Sequence, residues 1–138
     1  MASSGIYNIF KANLMNKVVD LSTAGDTIKV ALMGSTHDFT AADTAYITDN
    51  ELAAAGEYTQ GGYTLTAMTV AGTTTVAWDA EDAAWAGATF TAYGALVYDS
   101  TTADNPICTI DFGGAKTVAA GTFTIEWDAA GIITLATA

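Results

Sequence analysis

The sequence predicts a mainly β fold: an antiparallel β-sandwich or barrel of about seven to eight short strands, with one N-terminal amphipathic helix. Three observations carry this prediction. The 138 residues include 23 Thr, 9 Ile and 7 Val, which are β-branched residues that favour strands. Apolar and polar residues alternate in several segments after residue 26. Turn signals rich in Gly and Asp separate these segments at the spacing typical of sandwiches and barrels.

Length and composition favour a single β-rich domain over residues 1–138 with a thin core. Of the 70 hydrophobic residues, 28 are Ala and only 28 are Leu, Ile, Val or Phe. These larger residues make up about a fifth of the chain, near the level where disorder becomes plausible. The alternating pattern argues that the chain folds. A thin core in so small a domain also favours burial of further surface against partners.

The charge balance excludes several classes of partner. The chain has 15 acidic residues, 4 Lys and no Arg, and a net charge of −11. Nucleic acids and anionic membrane surfaces are therefore poor partners, since both attract basic clusters. The start of the chain, MASSG, lacks the pattern of a secretion signal, and no stretch approaches the ~20 consecutive apolar residues of a membrane span. A single Cys allows no internal disulfide, which fits synthesis in a reducing cytoplasm.

Residues 5–19 are predicted to form the amphipathic helix, with Ser3 or Ser4 as its cap. Its apolar face would cover a sheet or, alternatively, dock onto a partner. Its apolar residues recur at three- and four-residue steps: Ile6, Ile9, Phe10, Leu14 and Val18.

The β region is predicted to begin at residue 26, where Ile28, Val30 and Leu32 share one face of a strand. Residues 34–60 are less regular and are interpreted as a long surface excursion with one helical turn at 51–55. Excursions of this length tend to be functional, so a contact surface is expected here first.

The remaining strands follow from alternation and turn signals. A hairpin closed at Ala71-Gly72 joins the first two, Gly113-Gly114 forms a turn, and the last two strands pair with each other. Phe90, Ala92, Gly94, Leu96 and Tyr98 are expected on one face. The predicted strands are 63–70, 73–78, 90–98, 107–112, 122–127 and 132–137, with an acidic turn at 79–82 and a longer turn at 99–106.

No catalytic residue is predicted. His37 is the only imidazole and is expected to be solvated in an acidic loop, whereas Cys108 is expected to be a small buried hydrophobe on a strand. A Cys/His dyad would need both groups adjacent and the thiol exposed. The Gly61-Gly62 and Gly113-Gly114 pairs lack the context of a phosphate-binding loop.

Carboxylates supply weak candidates for Ca²⁺, and no other cofactor is expected. Asp79, Glu81 and Asp82 crowd one turn, and Asp99 and Asp104 bracket another, but the EF-hand spacing is absent. The alternative is that these turns are solvated and that their Asp side chains bond their own backbone.

Aromatic and apolar side chains supply candidates for an interface. Trp78, Trp85 or Tyr63 could serve as the sugar platform of a carbohydrate-binding module. Two carboxylates beside Trp78 and Trp85 would be the catalytic pair if the protein were a glycosidase. The candidate interface residues are Ile6, Ile9, Phe10, Tyr46, Tyr58, Trp78 and Trp85.

Three groups of segments form a pattern of strands and turns: YNIFK through DL (7–21) with DTIKVALM (26–33), FTA (90–92) with VYD (97–99), and GTFTIEWD (121–128) with GII (131–133). Together they resemble a group of small structural proteins of tailed bacteriophages, described mainly as virion components. The similarity covers nearly the whole chain but brings no catalytic or binding residues with it.

The resemblance implies a non-enzymatic virion protein made in the host cytoplasm. A capsid decoration or cement protein on the major capsid lattice, homo-oligomeric or lattice-bound, is the first expectation. A tail or fibre component is the second. A carbohydrate-binding module is the alternative from another class.

Overall fold

The computed structural model describes residues 4–46 and 48–136 and confirms the mainly β class, with 49% strand and 8% helix. Both sheets are antiparallel, and in these residues no sheet closes into a barrel. The elements in chain order are β1 (Gly5–Ile6), α1 (Asn8–Met15), β2 (Ile28–Met33), a 3-10 helix (Thr48–Asn50), β3 (Tyr63–Thr64), β4 (Thr69–Gly72), β5 (Thr75–Asp79), β6 (Ala83–Asp99), β7 (Asn105–Ile125) and β8 (Ile133–Ala136).

The larger sheet has five strands in the order β1-β7-β6-β2-β3, and the smaller sheet has three in the order β4-β5-β8. The main hydrophobic core unites residues of both sheets, including Val30 and Leu32 of β2, Trp78 of β5 and Ile133 of β8. Phe10 of α1 packs into the same core. The arrangement is therefore sandwich-like, as one of the two predicted alternatives.

The helix is shorter than the predicted 5–19. Residues Gly5–Ile6 form a strand instead, because they pair with Thr109 and Cys108 at the edge of β7. At the other end, Lys17 adopts a left-handed conformation with φ of 59°, which ends the helical geometry.

The predicted cap of the helix is also wrong where the structure describes it. Tyr7 holds the N-cap position with extended backbone and no side-chain hydrogen bond to the helix. The Ser4 hydroxyl instead accepts a 2.8 Å hydrogen bond from the Asp111 N–H, and Ser3 lies outside the described residues.

Two long strands replace the separate short strands predicted between residues 83 and 125. β6 has 17 residues and β7 has 21, and they pair along most of their length. The predicted turn at Gly113-Gly114 is wrong, because the chain does not reverse there. Ala92 pairs with Lys116 and Gly94 with Asp111, so residues 112–115 form a bulge on β7.

The same irregularity changes which side chains share a face of β6. Phe90 and Ala92 lie in the main core, as predicted, but Leu96 and Tyr98 lie in a second cluster. The register shift between Ala92 and Gly94 moves the alternation by one residue, which transfers the following side chains to the other face.

The predicted hairpin exists as β4 and β5, but its turn is displaced. β4 continues to Gly72 and β5 begins at Thr75, so Thr73-Thr74 rather than Ala71-Gly72 link the two strands. The predicted strand 63–70 is divided between the sheets as β3 and β4, with Ala67 in a left-handed conformation between them.

The predicted pairing of the last two strands is wrong. β8 pairs with β5 in the smaller sheet, with Val76 opposite Leu135 and Trp78 opposite Ile133. A turn closed by the 2.8 Å hydrogen bond from the Gly131 N–H to the Asp128 carbonyl leads the chain to this sheet.

Residues 34–60 are more than a surface excursion. Phe39 and Tyr46 pack with Met33, Leu96 and Tyr98 on the second face of the larger sheet. The helical turn predicted at 51–55 is wrong: a 3-10 helix precedes it, and residue 51 bridges to β2. This segment therefore covers the face of the larger sheet that the smaller sheet does not.

Candidate functional site

A buried carboxylate holds residues 46–61 together beside the larger sheet. Glu51 is 8% exposed, and its Oε1 accepts hydrogen bonds from the Tyr58 hydroxyl at 2.6 Å and from the Gly61 N–H at 2.7 Å. Its Oε2 accepts a hydrogen bond from the Tyr46 hydroxyl. Three donors therefore satisfy the carboxylate, which offsets the cost of removing it from water.

The tyrosines of this cluster link it to the strands. The Tyr58 hydroxyl also accepts a 3.0 Å hydrogen bond from the Leu32 N–H of β2. The ring of Tyr46 stacks on that of Tyr98 with centroids 4.3 Å apart, and the Tyr98 hydroxyl donates to the Gly61 carbonyl at 2.6 Å. We call Tyr46, Glu51, Tyr58, Gly61 and Tyr98 the Glu51 cluster.

Burial and charge keep the hydroxyls of the Glu51 cluster protonated. Burial, followed by the hydrogen bond to Glu51, raises the pKa of both Tyr46 and Tyr58 well above the usual range. Burial together with Asp104 and Glu51 raises the pKa of Tyr98 to about 12. These hydroxyls thus act as hydrogen-bond donors, and the arrangement is suited to holding the fold together.

His37 is buried, against the expectation of a solvated loop residue. It is 4% exposed, and its Nε2 lies 2.8 Å from the Thr109 hydroxyl. That hydroxyl donates to the Ala95 carbonyl at 3.0 Å, so we assign the proton to Nε2, which donates to Thr109. Burial lowers the pKa of His37, although Asp38 and Asp43 oppose this effect.

Cys108 is buried in the main core, as predicted for a small hydrophobe. Burial raises the pKa of its thiol to about 12, so the thiolate that acts as a nucleophile is scarce at neutral pH. His37 bonds to Thr109 rather than to this thiol.

The first group of predicted Ca²⁺ ligands is spread among separate structural roles. Asp79 accepts a 2.9 Å hydrogen bond from the N–H of the next residue, and Glu81 accepts one from the Thr66 hydroxyl at 3.1 Å. Asp82 accepts a 3.0 Å hydrogen bond from the Trp127 N–H. Within residues 4–46 and 48–136, no group of three or more His, Cys, Asp or Glu side chains is placed to hold a metal ion.

The second group is divided in the same way. Asp99 Oδ1 accepts hydrogen bonds from the Thr101 N–H at 2.9 Å and the Thr102 N–H at 3.2 Å, which closes the turn after β6. At Asp104, it is the backbone carbonyl that takes part, accepting a 3.0 Å hydrogen bond from the Tyr46 N–H.

Asp99 also carries an unsatisfied oxygen. The residue is 2% exposed, and Oδ2 is buried without a hydrogen-bond partner in the described structure. Burial, followed by the neighbouring Asp26 carboxyl, raises the pKa of Asp99, while the Thr102 contacts oppose the shift. The protonated carboxyl is therefore more favoured at Asp99 than in an exposed aspartate.

Most of the predicted interface residues are buried or half-buried within the fold. Phe10, Tyr58, Trp78 and Trp85 are buried, and Ile9 and Tyr46 are half-buried against the larger sheet; Ile6 alone is exposed. The faces of Trp78 and Trp85 are therefore not displayed as a sugar platform.

A different set of side chains forms an apolar surface. Among the described residues, six large hydrophobic side chains are exposed, and three of them, Leu14, Val70 and Leu135, line one groove between α1 and the smaller sheet. Their exposed fractions are 38%, 53% and 58%. We call these three side chains the apolar patch.

The groove beneath the apolar patch has a volume of about 220 Å³. Phe10, Trp78 and Ile133 belong to its lining and also to the main core. Val76 and Leu135, which pair across β5 and β8, continue the same apolar face toward solvent. The smaller sheet thus has an apolar face that α1 covers only in part.

Two patch residues and the role of Glu51 are not apparent from the sequence. Leu14 belongs to the predicted helix pattern, whereas Val70 and Leu135 are predicted only as strand positions. The signal was present in the alternation, because each lies two residues from another apolar position: Met68 before Val70, and Ile133 before Leu135. Glu51 had no comparable signal, since its partners lie up to 10 residues away in an irregular segment.

Comparison with known proteins found no match: no family model fits the chain, and no curated protein or solved structure is significantly similar to it.

Among the described helices, none combines the length and the apolar character needed to cross a membrane.

Proposed function

We propose that this chain is a non-enzymatic structural protein of a tailed-phage particle, and that it acts as a capsid decoration or cement protein on the major capsid lattice. The observation that carries the proposal is the apolar patch. Large apolar side chains gathered on one surface mark protein interaction sites, since isolated exposed residues are the norm elsewhere. The sequence resemblance to phage virion proteins supplies the setting.

The use of the polar side chains supports a structural role over an enzymatic one. Glu51 accepts three hydrogen bonds from its own fold, and His37 is bonded to Thr109. Cys108 is buried with a raised pKa. These groups stabilise the molecule, and each would have to give up a structural partner or its burial before reacting with a substrate.

The burial of Trp78 and Trp85 favours assembly over carbohydrate binding. A sugar platform needs an exposed ring face, whereas both indole rings lie in the main core. The acidic surface suits assembly, because a net charge of −11 limits nonspecific aggregation and favours docking on a neutral or basic shell.

The proposal is tested on particles purified from the phage that encodes the chain. Particles lacking the protein should release DNA at a lower temperature or after a milder osmotic shock than complete particles. Restoring the purified protein should restore this resistance. Particles that lack the chain and keep full resistance would contradict the cement role.

Copy number separates the capsid from the tail. Quantitative mass spectrometry of purified particles should find hundreds of copies for a protein bound across a capsid lattice. A few copies, or a multiple of three or six located at one vertex, would support the tail or fibre alternative.

We propose that no cofactor is required. Melting temperatures in millimolar Ca²⁺ and in EDTA should agree, because Asp79, Glu81, Asp82 and Asp99 already accept hydrogen bonds from the protein itself. A clear rise in Ca²⁺ would show that an ion is bound.

A further inference from the structure

We propose that residues 34–46 form an acid-sensitive cover over the second face of the larger sheet, and that protonation of His37 opens this cover while the rest of the fold stays intact. We call residues 34–46 the cover. Opening exposes an apolar surface that is buried at neutral pH. This property belongs to the isolated protein and does not depend on the proposed role in a particle.

His37 is the main buried anchor of the cover. It is the one residue between 34 and 46 that is fully buried, whereas the others are half-buried or exposed. Its Nε2 lies 2.8 Å from the Thr109 hydroxyl of β7. The cover is otherwise held by half-buried rings and by backbone hydrogen bonds, such as the 2.8 Å bond from the Asn8 N–H to the Ala41 carbonyl. A change at the imidazole therefore acts on the strongest attachment of the cover.

The space around the imidazole disfavours a charged ring. The cavity beside His37 has a volume of about 20 Å³, which is enough for about one water molecule. A charged ring cannot keep its hydration there, so His37 binds a proton more readily when the cover is open. Burial accordingly lowers the pKa of His37; Asp38 and Asp43 oppose this effect, and the N-terminal amino group adds to it. Tyr7 lines the same cavity and stays neutral, because burial raises its pKa.

The division of the core allows the cover to open by itself. The side chains beneath the cover form a cluster that is separate from the main core, and Phe39 and Tyr46 of the cover pack against it. The main core joins the two sheets, and none of its described members belongs to the cover. Opening therefore leaves the contacts of the main core in place. The buried members of the exposed cluster would be Tyr7, Ala31, Met33, Leu96 and Tyr98.

The proton balance sets the size of the effect. In the open state, His37 titrates near its ordinary pKa of 6.5, whereas the closed state binds the proton less readily. The open state therefore gains in population as the pH falls below this value. The equilibrium constant for opening should rise by up to about thirtyfold between pH 7.5 and pH 5.

Methionine oxidation by hydrogen peroxide tests the inference, because the chain has a methionine in each relevant setting. Met33 is buried beneath the cover, Met68 is buried in the main core, and Met15 is 85% exposed. Mass spectrometry gives the oxidation rates of Met33 and Met68 relative to Met15. From pH 7.5 to pH 5, the relative rate of Met33 should rise by up to about thirtyfold and that of Met68 should stay constant. A constant rate at Met33, or an equal rise at both, would overturn the inference.

His37→Gln is the matched variant. Its side-chain amide can donate a hydrogen bond to Thr109 as the imidazole does, but it does not titrate. Oxidation of Met33 in this variant should not change between pH 7.5 and pH 5. A rise equal to that of the unsubstituted chain would assign the effect to carboxylates and overturn the role of His37.

Hydrogen exchange of the unsubstituted chain decides the matter even if His37→Gln fails to fold. After correction for the pH dependence of intrinsic exchange, the amides of the cover should lose protection as the pH falls, whereas those of β5 and β8 should keep it. The loss should begin near about pH 6.5, where the imidazole of the open state starts to bind its proton. Equal losses in the cover and in β5 and β8, or a loss that begins only below about pH 5, would overturn the inference.

Discussion

The Tyr58 hydroxyl and the Glu51 carboxylate are 2.6 Å apart, and this hydrogen bond joins two parts of the irregular segment at 34–60. Tyr58 also accepts a hydrogen bond from the Leu32 N–H, so one hydroxyl connects the segment to β2 of the larger sheet. Phe39 and Tyr46 of the same segment pack on the second face of the larger sheet and shield that face from water.

Tyr58→Phe should lower the free energy of unfolding by about 1–3 kcal/mol, because it removes the acceptor of the Leu32 N–H and a donor to Glu51 inside the protein. Denaturant unfolding at pH 7 measures the change. Tyr93→Phe is the control: its ring is half-buried, and its hydroxyl makes no hydrogen bond within the described part of the chain. Equal effects of the two substitutions would contradict the role given to the Glu51 cluster.

His37 should titrate below its ordinary pKa of 6.5, since burial disfavours the charged ring. The folded state then binds its proton less readily than the unfolded state. The stability contributed by the neutral ring is therefore complete above the unfolded pKa and is lost as the pH falls from about 6.5 through the folded pKa. The chain has one His, so the imidazole NMR signals report this titration directly. A midpoint at or above 6.5 would show that Asp38 and Asp43 outweigh burial.

Asp99→Asn should stabilise the protein by about 1 kcal/mol at pH 7, because the amide can donate toward the Asp26 carboxylate from the position of the unsatisfied Oδ2. The raised pKa of Asp99 determines how its contribution to stability changes with pH. The protonated carboxyl stabilises the fold below the unfolded pKa of 3.8, and this contribution is lost as the pH rises through the folded value. The variant's advantage should therefore vanish near pH 3. Thermal unfolding at both pH values tests this, and destabilisation at pH 7 would mean that the turn requires the charged group.

Gly62→Ala should destabilise the fold by more than about 2 kcal/mol, whereas Gly113→Ala should cost about 1 kcal/mol. Both glycines have positive φ, 81° and 75°. A Cβ at Gly62 would overlap the Val30 carbonyl oxygen, whereas a Cβ at Gly113 meets nothing within 4 Å. Denaturant unfolding of both variants measures the difference. Similar losses would mean that the close approach of Gly62 to β2 contributes little.

The local pattern was enough to predict the class of the fold. Alternation at Ile28, Val30 and Leu32 identified β2 correctly, because the side chains on one face of a strand recur every two residues. The hairpin of β4 and β5 was also recognised, although its turn was placed two residues early.

The pairing of strands could not be predicted from local alternation. A glycine pair is compatible with a reversal or with a bulge, and at Gly113-Gly114 the long partner strand β6 decides for a bulge. Likewise, the sequence around Ile133 is compatible with pairing to β7 or to β5. In the structure Ile133 pairs with Trp78 of β5, and both side chains lie in the main core.

The candidate site was the least predictable part. Exposure of Leu135 and Val70 depends on how far α1 extends over the smaller sheet, and α1 is shorter than its apolar pattern predicts because Ile6 joins β7. The burial of His37 depends on Thr109, which is 72 residues away. Such contacts arise from the folded topology and have no counterpart in the local sequence pattern.

A density map of purified particles tests the central claim, that this chain is an assembly component whose apolar patch is covered by protein. The map should show the chain in many copies on the shell, with Leu135 and Val70 at a contact with another protein chain. Particles without the chain, or bound copies whose patch faces solvent, would contradict it.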